Sequence, residues 1–304
     1  MSATTLTNRF ASHLVNRILA IKPLANFAKT RARNMMIERA ERLGVPWREK
    51  VKALRQLDWE SKLAEVQDPN LTYPDYYLRS FHAYDEGNLN WDAALEVECA
   101  AYAVHSGIWP EAGVQGDAKL RQSYHAILAS KIPLQPQDIA DLGCGVGMST
   151  CALKEAYPQA SLVGIDLSPY FLTVARHNTE QRNDRMTWKH APAEATGLPD
   201  ESFDLVSACL MFHELPQDIS KRIFAEALRL LRPGGYFAFM DMNPQSEVYA
   251  KMPPYILTLL KSTEPYLDRY FTLDVEQALQ EAGFRAPTIT RNSPRHRTVI
   301  AGKP

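Results

Sequence analysis

From about residue 116 onward the chain alternates short strand-like runs with helix-patterned runs, and this alternation restricts its fold more than any other feature. Strands are expected near 138–142, 161–166, 186–190, 203–208, 235–241, 285–291 and 296–302, with helices between most of them. Such a pattern predicts an α/β domain with a mostly parallel sheet covered by helices on both faces. In that architecture ligands sit beyond the carboxyl ends of the strands, where strand order reverses. The first strand leads directly into "DLGCGVG" at 141–147, so a glycine-dense loop stands where a ligand is expected.

Two cofactor classes compete for that loop. A dinucleotide fold uses GxGxxG with a pyrophosphate at the helix start, whereas Gly143, Gly145 and Gly147 are spaced GxGxG and follow Asp141. A carboxylate two residues before the first glycine repels phosphate and suits an ammonium. S-adenosylmethionine (SAM) carries an ammonium and a sulfonium and no phosphate. Asp166 closes the second strand in "SLVGIDLSP", where an acidic side chain can accept from both ribose hydroxyls. That feature serves NAD equally well, so Asp141 and the glycine spacing carry the discrimination.

Residues 1–115 read differently. "NRFASHLVNRILAIKP" sets Phe10, Leu14, Val15, Ile18 and Leu19 at helical spacing, a second basic helix is expected from Leu24 to Leu43 with Gly44 as its stop, and a third begins near Pro46. An aromatic stretch, "LTYPDYYLRSFHAYDEGNLNW", precedes a helix expected from about Asn90 to His105. Residues 1–55 hold twelve Lys/Arg against three acids, which leaves +9 there and −10 in the rest of a chain whose net charge is −1. With 45% apolar and 23% charged residues, the composition is that of an ordinary globular protein. Cys99, Cys144, Cys151 and Cys209 form no CxxC pair, and no secretory signal is evident, so a cytoplasmic location and reduced thiols are expected.

The series "DLGCGVG", "GIDLSP", "AEATGLPDESFDLV" and "LRLLRPGGYF", in this order and spacing, resembles the class I SAM-dependent methyltransferases. The similarity is to the small-molecule branch that includes the ubiquinone/menaquinone methyltransferases. It implies a Rossmann-like seven-stranded sheet with an antiparallel last strand over 116–304, preceded by an N-terminal all-helical extension over 1–115. It also implies that Asp141, Gly143 and Gly145 line the methionine end of SAM, that Asp166 holds the ribose, and that Leu167 packs on the adenine. Ala193 matches the position whose amide meets the adenine ring. The acidic residue that often precedes it is Pro192 here, which leaves Glu194, a backbone carbonyl or no group at all for that contact. The Arg-Asn pair typical of the quinone branch is missing, so quinone methylation does not transfer.

Chemistry is expected after the fourth strand, at "CLMFHELP". His213 titrates near neutrality and is the candidate base or acceptor contact, and its alternative is a loop histidine capping the helix after Pro216. Glu214 reads as an orienting residue. In the aromatic stretch Tyr77, His82, Tyr84, Asp85 and Asn88 are candidates to face SAM or substrate, against an account in which the rings pack the front helices onto the sheet domain. Tyr266, four residues before Tyr270, is a second lid candidate with core packing as its alternative. No metal is expected.

The resulting expectation is methyl transfer from SAM to a small-molecule, lipophilic acceptor. The alternatives are an NAD(P)-dependent oxidoreductase and a noncatalytic SAM-fold protein docking on a membrane or partner. No nucleic-acid partner is expected, because the basic residues lie without an RNA-reading motif beside an acidic remainder. The apolar stripe and the arginines of residues 1–43 predict peripheral contact with an anionic membrane, against packing of that stripe on the sheet domain or on a second copy. Oligomeric state is open.

Overall fold

The computed structural model describes residues 22–82, 84–180 and 186–304. The amphipathic segment read at 9–21 lies outside them. Seven strands form one sheet: β1 (Asp138–Leu142), β2 (Ser161–Asp166), β3 (Met186–His190), β4 (Phe203–Cys209), β5 (Leu231–Met242), β6 (Thr288–Arg291) and β7 (His296–Gly302). Their order is β3-β2-β1-β4-β5-β7-β6, with β1 to β5 parallel and β7 antiparallel to both of its neighbours. Strand order reverses beside β1, where β2 lies on one side and β4 on the other. The ends of β1, β2 and β4 therefore face one ligand region.

Both sheet faces are covered, and the pleat explains the sequence of the strands. Ala140, Leu142, Val206, Phe237 and Phe239 enter one apolar cluster, whereas Ile139, Leu205, Ala238 and Met240 enter the other. Successive residues of a strand point to opposite faces, so burial on both sides demands a continuous apolar run rather than an alternating one. β6 is shorter than the expected 285–291 because Pro287 has no N–H for the ladder, and the strand starts at Thr288. β5 is longer than expected and takes in Gly234 and Gly235, with a register shift opposite Phe203 and Leu205.

The front of the described chain is helical, over Lys22–Arg42, Trp47–Leu54, Trp59–Ala64 and Trp91–His105. Gly44 ends the first of these with φ at +86°, and Pro46 caps the second rather than occupying its first turn. Asn90 caps Trp91–His105 by accepting from the Ala93 N–H at 2.8 Å. Ile37 and Ala40 of the first helix pack with Cys99 and Ala103 of the fourth. Trp59, Ala93, Ala94 and Leu95 then share a cluster with Val146, Phe171 and Val174 of the sheet region, so the helices are continuous with its core. A buried polar tie closes the junction: Asp117 receives His105 Nδ1 at 2.7 Å and Arg121 Nε at 2.9 Å. No helix among the described residues is long and apolar enough to cross a membrane.

Candidate functional site

The glycine loop turns on three left-handed residues, Gly143, Gly145 and Gly147 at φ +64°, +55° and +83°. A side chain at Gly147 would stand 2.7 Å from the Trp188 ring, and one at Gly143 would stand 2.5 Å from Met211 Sδ. Above Gly145 the nearest atom, Phe171 Cδ2, would be 3.9 Å away, an ordinary van der Waals contact, so the middle of the loop is less crowded than its two ends. The Gly143 contact also shows that the segment after β4 lies directly against this loop.

Two carboxylates flank the loop. Asp141 is fully buried; its Oδ2 accepts from Ser149 Oγ and Thr150 Oγ1, both at 2.7 Å. Its Oδ1 is buried with no hydrogen-bond partner. Burial raises its pKa, the two hydroxyl donors and Arg121 offset this in part, and the balance lies at about 6. Asp166 accepts from the N–H groups of Gly145 and Ser168, each at 2.8 Å, and burial outweighs those bonds to lift it likewise to about 6. Asp166 thus braces the glycine loop, and a carboxylate has further lone pairs for other donors. Leu167 is buried next to it, and Ala193 packs half-buried against the core. Glu194 receives the Tyr76 hydroxyl at 2.7 Å while its Oε2 stays buried and unpartnered, so it is Glu194 that brings a carboxylate beside Ala193 where Pro192 cannot.

The second half of the site gathers at the ends of β4 and β5. His213 sits in the single turn Phe212–Glu214, and its side chain does not cap the helix Gln217–Leu230, which has no side-chain cap. Instead Nδ1 meets Asp241 Oδ1 at 2.7 Å, and Asp241 also accepts from the Phe212 and Met242 N–H groups. This fixes the ring and leaves Nε2 on the Glu214 side, 3.9 Å from Glu214 Oε1. Burial opposes the imidazolium, yet Asp241, with Glu264 and Glu214 beyond it, outweighs burial and raises His213 to about 10. Glu214 is pushed up to about 7, first by burial, against the pull of His82 and His213. These neighbours favour the protonated form of His213, and Glu214 is the next carboxylate on its Nε2 side, beyond hydrogen-bond reach at 3.9 Å. Asp241 was not singled out in the sequence, where it is one acid in the strand "YFAFMDM"; an acid ending a buried strand is the signal that could have marked it.

The aromatic stretch divides. The Tyr77 hydroxyl is held well above its ordinary pKa by burial and then by the charges of Asp166 and Glu214, and its ring stacks on Tyr73 and meets Tyr76 edge-on. The Asn88 carbonyl accepts from Ser168 Oγ at 2.6 Å, docking the segment beside Asp166. His82 Nε2 lies 3.0 Å from Glu264 Oε1. Tyr84 turns elsewhere: its hydroxyl donates to Glu96 Oε2 at 2.7 Å, and Glu96 is paired with Arg33 of the first helix. Asp85 is exposed. Tyr266 is buried and reaches the Tyr76 carbonyl at 3.4 Å, while Tyr270 donates to the Met242 carbonyl; Tyr266 precedes the helix Leu267–Phe271 instead of sharing a helical face with Tyr270. A cavity of about 490 Å³ opens away from this site, lined by Arg33, Ile37, Trp47, Arg48 and Glu96 among others.

Residues 140–239 match the methyltransferase domain family. An uncharacterized methyltransferase of Synechocystis is 30% identical over 54% of this chain and 74% of its own length. The malonyl-[acyl-carrier protein] O-methyltransferase of Hahella chejuensis is 40% identical over 33% of this chain, which spans about a third (34%) of that relative. Among solved structures, Haemonchus contortus phosphoethanolamine N-methyltransferase 2 in complex with SAM superposes with a TM-score of 0.52 at 16% identity, covering 70% of this chain and 60% of that one, and supports the fold alone. The chain belongs to the class I SAM-dependent methyltransferases. The noncatalytic alternative finds no support among these relatives. The residues fit the cofactor of the family: the buried, partnerless Asp141 Oδ1 can take an ammonium.

Proposed function

We propose that this protein methylates a small, lipophilic acceptor at the edge formed by the glycine loop, the His213 turn and the Tyr73–His82 segment. The carrying observation is the contact between Gly143 and Met211, which brings the His213 turn against the cofactor loop. SAM, when bound, supplies an electrophilic methyl group on a sulfonium. Asp141 and Asp166 would hold its ammonium and ribose, with Leu167 and Ala193 on the adenine side. Methyl transfer needs alignment and exclusion of water, and a base only where the acceptor loses a proton. Asp241 orients His213, His213 Nε2 addresses the acceptor, and Glu214 exchanges the proton that Nε2 must give up first. Tyr73, Tyr76 and Tyr77 form a run of ring contacts, with Tyr73 stacked on Tyr77 at 6.3 Å, and supply the apolar wall that favours a lipophilic acceptor. Incubating the protein with methyl-labelled SAM and separated lipid and aqueous cell extracts tests this, with Asp141→Asn as control. Label entering only aqueous products overturns the lipophilic acceptor, and no label in either overturns the reading.

As part of the same proposal, residues 1–43 contact an anionic membrane. The supporting observation is the outer face of the helix Lys22–Arg42, where Arg31 is exposed and Met35 is 55% exposed, opposite the buried Ile37 and Ala40. Arg33, paired with Glu96, and Arg39, bonded to Ser106, are engaged within the protein and contribute less. Salt-sensitive co-sedimentation with anionic vesicles, lost on deleting residues 1–43, is the expected result; no binding at low salt excludes it.

A further inference from the structure

Beside His213, three metal-ligating side chains converge, two of which, His82 and Glu264, the methyl-transfer reading leaves without a task. One atom each from His82, Glu214 and Glu264 lies within 4.8 Å of the other two, the cluster of this kind found among the described residues. Three separate parts of the chain deliver them. The His82 backbone is left-handed at φ +50°, which non-glycine residues seldom adopt, and its N–H donates to the Thr263 carbonyl at 3.0 Å. That bond sets the imidazole against Glu264, the next residue. Glu214 is carried in by the turn that Asp241 ties down through the Phe212 and His213 N–H groups.

The state of Glu264 points to a ligand. It is only 7% exposed; Oε1 meets His82 Nε2 at 3.0 Å. Oε2 is buried with no hydrogen-bond partner at all. A buried carboxylate oxygen left unpartnered beside a second carboxylate is costly, and a cation relieves both costs together.

We propose that His82, Glu214 and Glu264 bind a divalent first-row metal ion, Mn2+ or Zn2+. One imidazole nitrogen and two carboxylates form a mixed donor set that suits these ions, whereas Mg2+ and Ca2+ favour oxygen alone. Ligand atoms about 2.0–2.2 Å from such an ion stand roughly 3–3.5 Å apart, so the cluster closes by about an ångström on binding. Three protein ligands leave coordination positions free for an acceptor oxygen, whose proton the ion would acidify. That role rests on the methyl-transfer reading; ion binding itself does not.

The test uses the full-length protein freed of metal with a chelator. Titration with MnCl2, followed by electron paramagnetic resonance, is expected to show saturable binding of one ion per chain, competed by ZnCl2 and not by equimolar MgCl2. Spin-echo spectra of the Mn2+ complex are expected to show coupling to an imidazole nitrogen. His82→Ala and Glu264→Gln should each weaken Mn2+ by more than the roughly tenfold loss that an outer-shell change can cause, while Glu247→Gln on the surface does not. SAM calorimetry on each variant reports folding and keeps the two readings separate: ion binding without methyl transfer retains this site and removes the function. No saturable binding to the unaltered protein, no nitrogen coupling, or binding that survives both substitutions overturns the site.

Discussion

The proposed cofactor half of the site is drawn from residues 141–168, in which the glycine loop, Asp141, Asp166 and their hydroxyl and amide donors are neighbours in sequence. The proposed acceptor half instead draws His82, His213, Glu214, Asp241 and Glu264 from four distant segments. The first lies within one strand–loop–helix–strand unit, from β1 through β2 and the turn after it. The second exists only where the sheet aligns the ends of β4 and β5 and the front segment folds back across them. On the proposed reading, local construction sets what would hold the cofactor, and remote construction leaves the acceptor chemistry free to vary on the same frame.

If the two halves are separable, substitutions should act on one and spare the other. The largest effect is expected from His213→Ala, which should lower kcat by roughly 10²-fold or more with SAM affinity unchanged. Asp241→Asn should follow it in direction, because the ring then loses the carboxylate at 2.7 Å that orients it. An unchanged kcat in both variants would return His213 to a structural role. Conversely, Asp141→Asn should weaken SAM by about 10- to 100-fold, the worth of a hydrogen bond to a charged group, and weaken adenosine far less. Equal loss of both ligands would separate Asp141 from the ammonium.

A smaller effect is expected from pH. Asp141 and Asp166 are both raised to about 6. Their charged forms favour a cationic ligand, so SAM affinity should be full above that value and decline as pH falls through it. The decline should reach about tenfold at pH 5 for each group that must ionise, and calorimetry across pH 5–8 measures it. Asp141→Asn should flatten part of the profile; a profile identical to the unaltered protein would assign the dependence elsewhere. The smallest effect concerns Tyr84, which belongs to neither half. Tyr84→Phe removes its bond to Glu96 and should cost about 1 kcal/mol of stability, read in denaturant, with kcat and SAM affinity retained. A fall in kcat would draw Tyr84 back into the acceptor site.

Much of the frame was legible. β1, β2, β3 and β7 run over the expected residues, because each is an apolar or β-branched run bounded by turn signals. The helix stop at Gly44 and a helix start near Asn90 were legible for the same local reasons, while the role of Asn90 as its cap came from the structure. The partner of His213 was not. Asp241 stands 28 residues from it, and only the pairing of β4 with β5 brings the two together. Nor could the sequence separate the members of "YYLRSFHAYDEGNL" by destination. Their polar tips look alike, yet Asn88 docks beside Asp166, His82 reaches Glu264 and Tyr84 turns to Glu96.

The sequence by itself determined the α/β order of elements, the left-handed glycine turns and the presence of carboxylates at the ends of β1 and β2. These depend on backbone sterics, on side-chain periodicity and on residues a few positions apart. Only the tertiary structure decided which of those carboxylates keeps an unpartnered oxygen, that Asp241 pairs with His213, and that His82 meets Glu264. The reason is that burial and long-range pairing set the energy of a charge. Both are properties of the assembled fold, and no single segment carries them.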